Sequence, residues 1–426
     1  MRRVILRCSA PYSCTTNELI EEINSFINAQ DPSERRQNVV LTSTVDLLEA
    51  RLFFVDVPTR FYFKDNVVTI EVDSTMTGPG YHASSVRVLD YIGQSIGIEW
   101  DYSTLHDDTG YYEHRDFKKL QKYMEDWLVE YCNEFIANPP VQAPVRTTAL
   151  IMPYGMLPSN TDYFACHTLG YLYKDFFTDI NNLEDKSLFC RSFFIWWDQE
   201  LDAEFYVKCA LSIIWCRLNW LPPVLEEELL DFDNVMYDLE TAWQMDKTLP
   251  LPVSEWIELA KLSNDKELIA ELIRRFPTAF NQPPSRGYRR HDVWQIIGER
   301  CWAVKLPGKM HSSVDEDGAL MFWDHQGRSI CITASSCSDY TPTKTANEFL
   351  NENIDNPAAK PFLLPSDLSL SAFIVHEQRQ EKNTTTYSTT LYAATDGHMV
   401  IITLYYKNPN DKVWALSICN SLRIID

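Results

Sequence analysis

The stretch Ala319-Leu320-Met321-Phe322-Trp323-Asp324-His325-Gln326-Gly327-Arg328-Ser329-Ile330-Cys331-Ile332-Thr333-Ala334 decides the class of the C-terminal part. Two short runs rich in aromatic and β-branched residues flank Asp324-His325-Gln326-Gly327, whose residues favour a tight turn. The reading is a β-hairpin. Just upstream, Asp315-Glu316-Asp317-Gly318 supplies a second turn. Its glycine comes too early for a calcium loop and the distal glutamate is absent, so it is read as a hairpin turn. Downstream, 371–378, 386–393, 398–407 and 412–424 read as further strands, with one helix at 345–352. Asn408-Pro409-Asn410-Asp411 provides the last turn.

Together with Trp302-Ala303-Val304-Lys305-Leu306-Pro307 and the closing Val413-Trp414-Ala415-Leu416-Ser417-Ile418…Ser421-Leu422, these strands give residues 298–426 a recognisable order. It resembles the Mog1/PsbP-type α/β sandwich. That resemblance implies a curved antiparallel sheet packed by helices. Proteins of that fold are mostly adaptors and assembly factors, so it also implies a binding role, by fold analogy.

The N-terminal part reads as a mixed α/β module over 1–140. A strand at 4–8 precedes Thr15-Thr16-Asn17-Glu18, which offers helix-capping chemistry, and Leu19, Ile20, Ile23, Phe26 and Ile27 follow at helical spacing. Strand-like runs cover 38–44, 51–57 and 61–73, the last folded about Lys64-Asp65-Asn66 as an antiparallel hairpin. Helices are expected from Val86 to Ile96 and from Phe117 to Phe135. The proline-dense 138–144 reads as a break, and 141–280 as a mostly helical segment packed on the first module, with helices at 205–220, 235–244 and 256–276. The polar, locally basic 281–297 is expected to be an exposed linker. The fold class is therefore α+β, with an N-terminal module, a helical middle and a C-terminal antiparallel sandwich.

Length and composition bound the function. The chain has 426 residues, 45% hydrophobic and 23% charged, as in an ordinary globular protein. Lys plus Arg is 38 against 60 Asp plus Glu, a net charge of −22. A surface this acidic repels phosphate backbones and anionic lipid, so neither nucleic acid nor membrane is an expected partner. Another protein, basic in character, suits it better. Residues 224–260 hold ten acidic residues against Lys247 alone. Arg7 cuts the N-terminal apolar run short of a secretory segment, and no run reaches the ~20 apolar residues of a membrane span. None of the 11 cysteines shows C-x-x-C spacing, and most are expected to be reduced core residues of a cytoplasmic protein.

Four constellations bear on chemistry. The run from Trp100 to Asp116, read as a loop, places His106, Asp107, Asp108, Glu113 and His114 close together, with His82 upstream. Imidazole and carboxylate suit a divalent metal, so a metal-assisted hydrolase is the competing class. The plainer reading is a solvated loop with an Asx turn and a helix cap. Gly78, Gly80 and Tyr81 sit at a strand-to-helix turn where free backbone N–H groups can hold an anion. The motif is neither a P-loop nor a dinucleotide fingerprint, and a plain turn explains it as well. Cys166-His167 is an adjacent pair with poor dyad geometry. The aromatic run 189–197 reads as a buried strand. No catalytic signature emerges.

The leading expectation is a cytoplasmic, non-enzymatic protein-binding protein, in one concrete form a bacterial inhibitor or immunity-type protein. No cofactor is expected, a divalent metal being possible only under the hydrolase reading. Glu226, Glu227, Glu228, Asp231, Asp233, Asp238 and Glu240 would be its partner-binding carboxylates, being too many to pair internally with Lys247 the one basic neighbour.

Overall fold

A computed structural model of the protein describes residues 3–28, 39–51, 57–137, 152–159, 164–180, 182–279, 282–298, 302–336, 371–381, 384–395 and 398–424, with shorter pieces between 346 and 364. The break at 138–144 and most of the helix expected at 345–352 lie outside the described residues.

The first unit is an antiparallel sheet covered by helices. Strand β1 (Ile5–Pro11) leads into helix α1 (Thr16–Asn28). Its cap is as expected: Thr15 and Glu18 bond reciprocally, the Glu18 carboxylate taking the Thr15 N–H at 2.8 Å and Thr15 Oγ1 the Glu18 N–H at 3.3 Å. Strands β2 (Val39–Ser43), β3 (Leu47–Arg51), β4 (Pro58–Lys64) and β5 (Val67–Asp73) follow, then helix α2 (Pro79–Ile96) and strand β6 (Asp101–Asp107). The sheet order is β2-β3-β4-β5-β1-β6. Asp65 and Asn66, both left-handed at φ 52° and 58°, join β4 to β5 in the turn that fits the twist of a hairpin. Most of the strand expected at 51–57 lies outside the described residues, which resume at 57 after β3 ends at Arg51. A short helix α3 (Tyr111–His114) and the long α4 (Phe117–Ala137) complete the unit.

The middle of the chain divides its packing. Strand β7 (Met156–Pro158) is followed by a small hairpin of β8 (Phe164–Cys166) and β9 (Gly170–Leu172), then helices α5 (Lys174–Ile180) and α6 (Ser187–Phe193). The aromatic run at 189–197 is buried, as expected, but it is a helix end and an extended segment, not a strand. Its rings join the core of the first unit. Helices α7 (Ala203–Cys216), α8 (Glu226–Met245), α9 (Val253–Leu262) and α10 (Lys266–Arg275) make their own apolar cluster around Trp220, Phe232, Leu239 and Trp256. The single helix expected at 256–276 is two. Asn264 turns left-handed at φ 55°, and Asp265 caps the second helix by accepting the Leu268 N–H at 2.9 Å.

In the C-terminal part, β10 (Asp292–Ile297), β11 (Trp302–Pro307), β12 (His311–Val314), β13 (Leu320–Trp323), β14 (Ser329–Ser336), β15 (Lys360–Pro361), β16 (Ser371–Glu381), β17 (Thr384–Thr395) and β18 (His398–Tyr406) precede helix α11 (Lys412–Cys419) and strand β19 (Arg423–Ile424). A seven-stranded antiparallel sheet runs β12-β13-β14-β18-β17-β16-β15, and a four-stranded one runs β19-β11-β10-β7. Both share one core. The two turns read at 315–318 and 324–327 form, with Asp315 and Asp324 each accepting backbone N–H groups across their turn. The α+β class holds.

Two expectations here need correction. The segment 412–424 is a helix followed by a short strand. Ala415, Ile418 and Cys419 fall on one buried face of the helix, which overrides the β-branched content. The stretch 281–297 is not an exposed linker throughout. Tyr288 is fully buried, its hydroxyl donating to the Cys166 carbonyl at 2.8 Å, and 292–297 is a strand paired on both sides. The boundary at 280 is crossed by β7, which comes from the middle segment.

Candidate functional site

His82, on the first turn of α2, is completely buried and bridges three elements. Its Nδ1 lies 2.8 Å from Ser74 Oγ, and its Nε2 lies 3.1 Å from Asp107 Oδ1 and 3.2 Å from Thr109 Oγ1. Asp107 is saturated. It accepts the Thr109 N–H and hydroxyl and, at 2.7 Å, the Tyr112 N–H. Burial opposes its charge, yet the His82 ring and these donors hold its carboxyl well below the usual carboxylate range.

This arrangement corrects the metal reading. The run from Asp101 to Asp107 is not a loop but β6, an edge strand of the first sheet. His106 is exposed and leans on Asp108 at 3.3 Å, while Asp108 accepts the Ile5 N–H at 3.0 Å. Glu113 and His114 are exposed on α3, and His114 Nδ1 accepts the Asp116 N–H at 2.9 Å. Among the described residues no three His, Cys, Asp or Glu side chains stand where they could hold a metal ion. Period-two alternation does not divide Asp101–Asp107, because an edge strand need not bury either face; Asp107 at its end joins α2 to α3 through His82 and the Tyr112 N–H.

The anion reading of Gly78, Gly80 and Tyr81 is corrected as well. The segment after α6 plugs the start of α2: the Gly80 N–H donates to the Trp196 carbonyl at 3.0 Å and the Trp196 N–H to the Thr77 carbonyl at 2.8 Å. A side chain at Gly80 would collide with the Trp196 indole and the Asp198 carbonyl. The glycine serves close packing. Tyr81 is buried, its hydroxyl donating to the Val57 carbonyl. Cys166 and His167 are buried in the core, the Cys166 thiol pushed up by burial.

The acidic stretch lies on α8, where seven carboxylates divide into two sets. Glu228 faces inward: its Oε1 is 2.8 Å from Nδ1 of the buried His311 and accepts from Asn219 Nδ2 at 2.7 Å, while its Oε2 accepts the Val224 N–H at 2.9 Å. Asp231 takes Arg217 Nε at 2.9 Å, Glu240 takes Arg275 at 2.6 Å, and Asp238 is fully buried. The expectation that so many acids lack internal partners therefore fails, because the partners lie outside 224–260. The basic segment before β10 answers the acidic helices directly. Arg286 pairs with the buried Glu255 at 2.9 Å, and Arg290 pairs with Glu258 while its guanidinium lies over the Trp220 ring at 3.3 Å. Arg289 is buried and donates to the carbonyls of Gly308, Arg217 and Met310. Burial pulls its guanidinium down to about 10, against Glu228 and Asp231, so it keeps its charge at neutral pH.

The second set is Glu226, Glu227 and Asp233. All three are exposed and make no ion pair with a described residue. Leu229 and Leu230 lie between them, 50% and 40% exposed, and Val224 just before the helix is 55% exposed. This is the patch that sequence reasoning only half located: it named the acids and missed the leucines. Their i, i+3, i+4, i+7 spacing with Glu226 and Asp233 was the available signal.

No family model matches the chain, and no curated protein matches it. Among solved structures, a crystal structure from Bacteroides thetaiotaomicron VPI-5482 is similar over 32% of this chain at 14% identity and a TM-score of 0.27. The match spans about half, 49%, of that chain. The solution structure of cyanobacterial PsbP (CyanoP) from Synechocystis sp. PCC 6803 is similar over 29% of this chain and 86% of its own, at 11% identity and a TM-score of 0.23. No helix among the described residues is long and apolar enough to cross a membrane.

Proposed function

We propose that the protein is a cytoplasmic, non-enzymatic binding protein of the adaptor, inhibitor or immunity type, and that its partner is a basic protein. One observation carries this reading. Most of the carboxylates of α8 are answered from within the fold, whereas Glu226, Glu227 and Asp233 are exposed together around two exposed leucines. Charges at the rim of an interface speed encounter with a partner of opposite sign and reject like charge. The reading uses no cofactor. Its test is capture of partners by the immobilised full chain at low and at physiological salt, with the variant Glu226→Gln/Glu227→Gln/Asp233→Asn alongside. A basic protein retained at low salt and lost on the variant supports it. Retention indifferent to both salt and variant, or no retained protein, overturns it.

A further inference from the structure

The exposed face of α8 has a shape as well as a charge. Glu226, Leu229, Leu230 and Asp233 stand at i, i+3, i+4 and i+7, so the two leucines form the centre of a diamond with a carboxylate at each end. Half-buried Tyr237 continues the stripe one turn on, and Glu227 with Val224 widens its start. We infer that this face seats an amphipathic helix of the partner, with an apolar centre about one turn long and Lys or Arg one turn to either side. The inference rests on the binding role proposed above and names the partner's chemistry.

Three observations select that occupant. A helix face offers no backbone edge, so an extended strand gains nothing there, whereas a helix laid along it buries both leucines. A second copy of this chain is disfavoured, because a chain with net charge −22 would bring carboxylates against carboxylates. The nearby cations do not change this sign: Arg217 is engaged by Asp231, and Arg275 by Glu240 and Glu271. Lipid and nucleic acid present anions to the same carboxylates. A cationic helix complements both the charge and the leucines.

The probe is a fluorescently labelled synthetic Leu/Lys peptide of about 18 residues, patterned with leucine on one face at a 3.6-residue period. Its control has the same composition scrambled to remove that face. Binding to the full chain is read by anisotropy at low and physiological salt. The patterned peptide is expected to bind at least tenfold more tightly than the scrambled one. Leu229→Asp/Leu230→Asp should weaken it at least tenfold, although this variant adds two negative charges and plain electrostatic attraction would then strengthen binding. Leu230→Ala should weaken it less and in the same direction, and unchanged melting curves confirm that both variants fold. Equal binding of the two peptides, or tighter binding by the Asp variant, overturns the helix-docking inference and leaves the acidic binding role standing. No binding of either peptide at low salt overturns both.

Discussion

Glu228 and His311 stand 83 residues apart in sequence and meet at 2.8 Å, carboxylate to Nδ1. The same carboxylate accepts the Val224 N–H at the start of α8, and the imidazole stacks on Trp323 with ring centres 5.7 Å apart. The first turn of the acidic helix is thereby fastened to the first strand of the seven-stranded sheet. Of three consecutive glutamates, two face solvent and the third holds two parts of the fold together.

That division predicts unequal costs. Removing one member of a pair whose imidazole is fully buried strands the other, so His311→Ala and Glu228→Gln should each lower stability by about 2–4 kcal/mol. Glu226→Gln/Glu227→Gln should change it by less than about 0.5 kcal/mol, as exposed charges do. Urea unfolding of the three variants checks this, and equal effects would contradict the assignment.

Acid should loosen the joint at His82. The Asp107 carboxyl is depressed in the folded protein, so its contribution is complete above its unfolded value of about 3.9 and is lost as pH falls through the folded value. The urea midpoint of the native protein should therefore drop more steeply between pH 5 and pH 3 than that of Asp107→Asn. Parallel pH profiles would show that the carboxylate contributes nothing beyond its shape.

The segment 287–297 should resist proteolysis. Arg289 is clamped by three carbonyls and Tyr288 is buried, so trypsin should not cut after Arg289 or Arg290 in native protein. Arg289→Ala leaves those carbonyls without their donor and should cost about 3 kcal/mol or more. Mass spectrometry of timed digests of both proteins decides it. Early cleavage of the native chain at Arg290 would restore the linker.

Gly80→Ala should be disruptive despite its small size. The added methyl group meets the Trp196 indole and the Asp198 carbonyl, and a clash with backbone cannot be relieved by a rotamer. A loss of roughly 1–3 kcal/mol or more is expected, read as a lower melting temperature. Had the turn been an open anion cradle, the same change would leave stability intact.

Features built from near neighbours were legible in the sequence. Asp65-Asn66, Asp315–Gly318 and Asp324–Gly327 make their turns from their own side chains and left-handed backbone, and Thr15 with Glu18 makes its own cap. Features that depend on distant partners were not. The acidity of α8 read as unanswered because Arg217, Arg275 and His311 lie outside 224–260. Strand β6 was missed because its side chains are mostly exposed on both faces, leaving no alternation to read. Helix α11 was legible and misread: the apolar spacing of Ala415, Ile418 and Cys419 outweighs the strand preference of Val413 and Trp414.

The pairing of Met156–Pro158 with Val293–Gln295 has a further consequence, for the chain while it is being made. A ribosome delivers β7 long before β10 exists, so an apolar strand must wait with an unsatisfied edge while several helices are synthesised. The long sequence separation of the two strands slows their pairing, and the wait invites pairing with neighbouring nascent chains. Shortened chains ending before Asp292 would carry this open edge permanently, and low yield from them would report the missing strand, not a failure of the helices to fold.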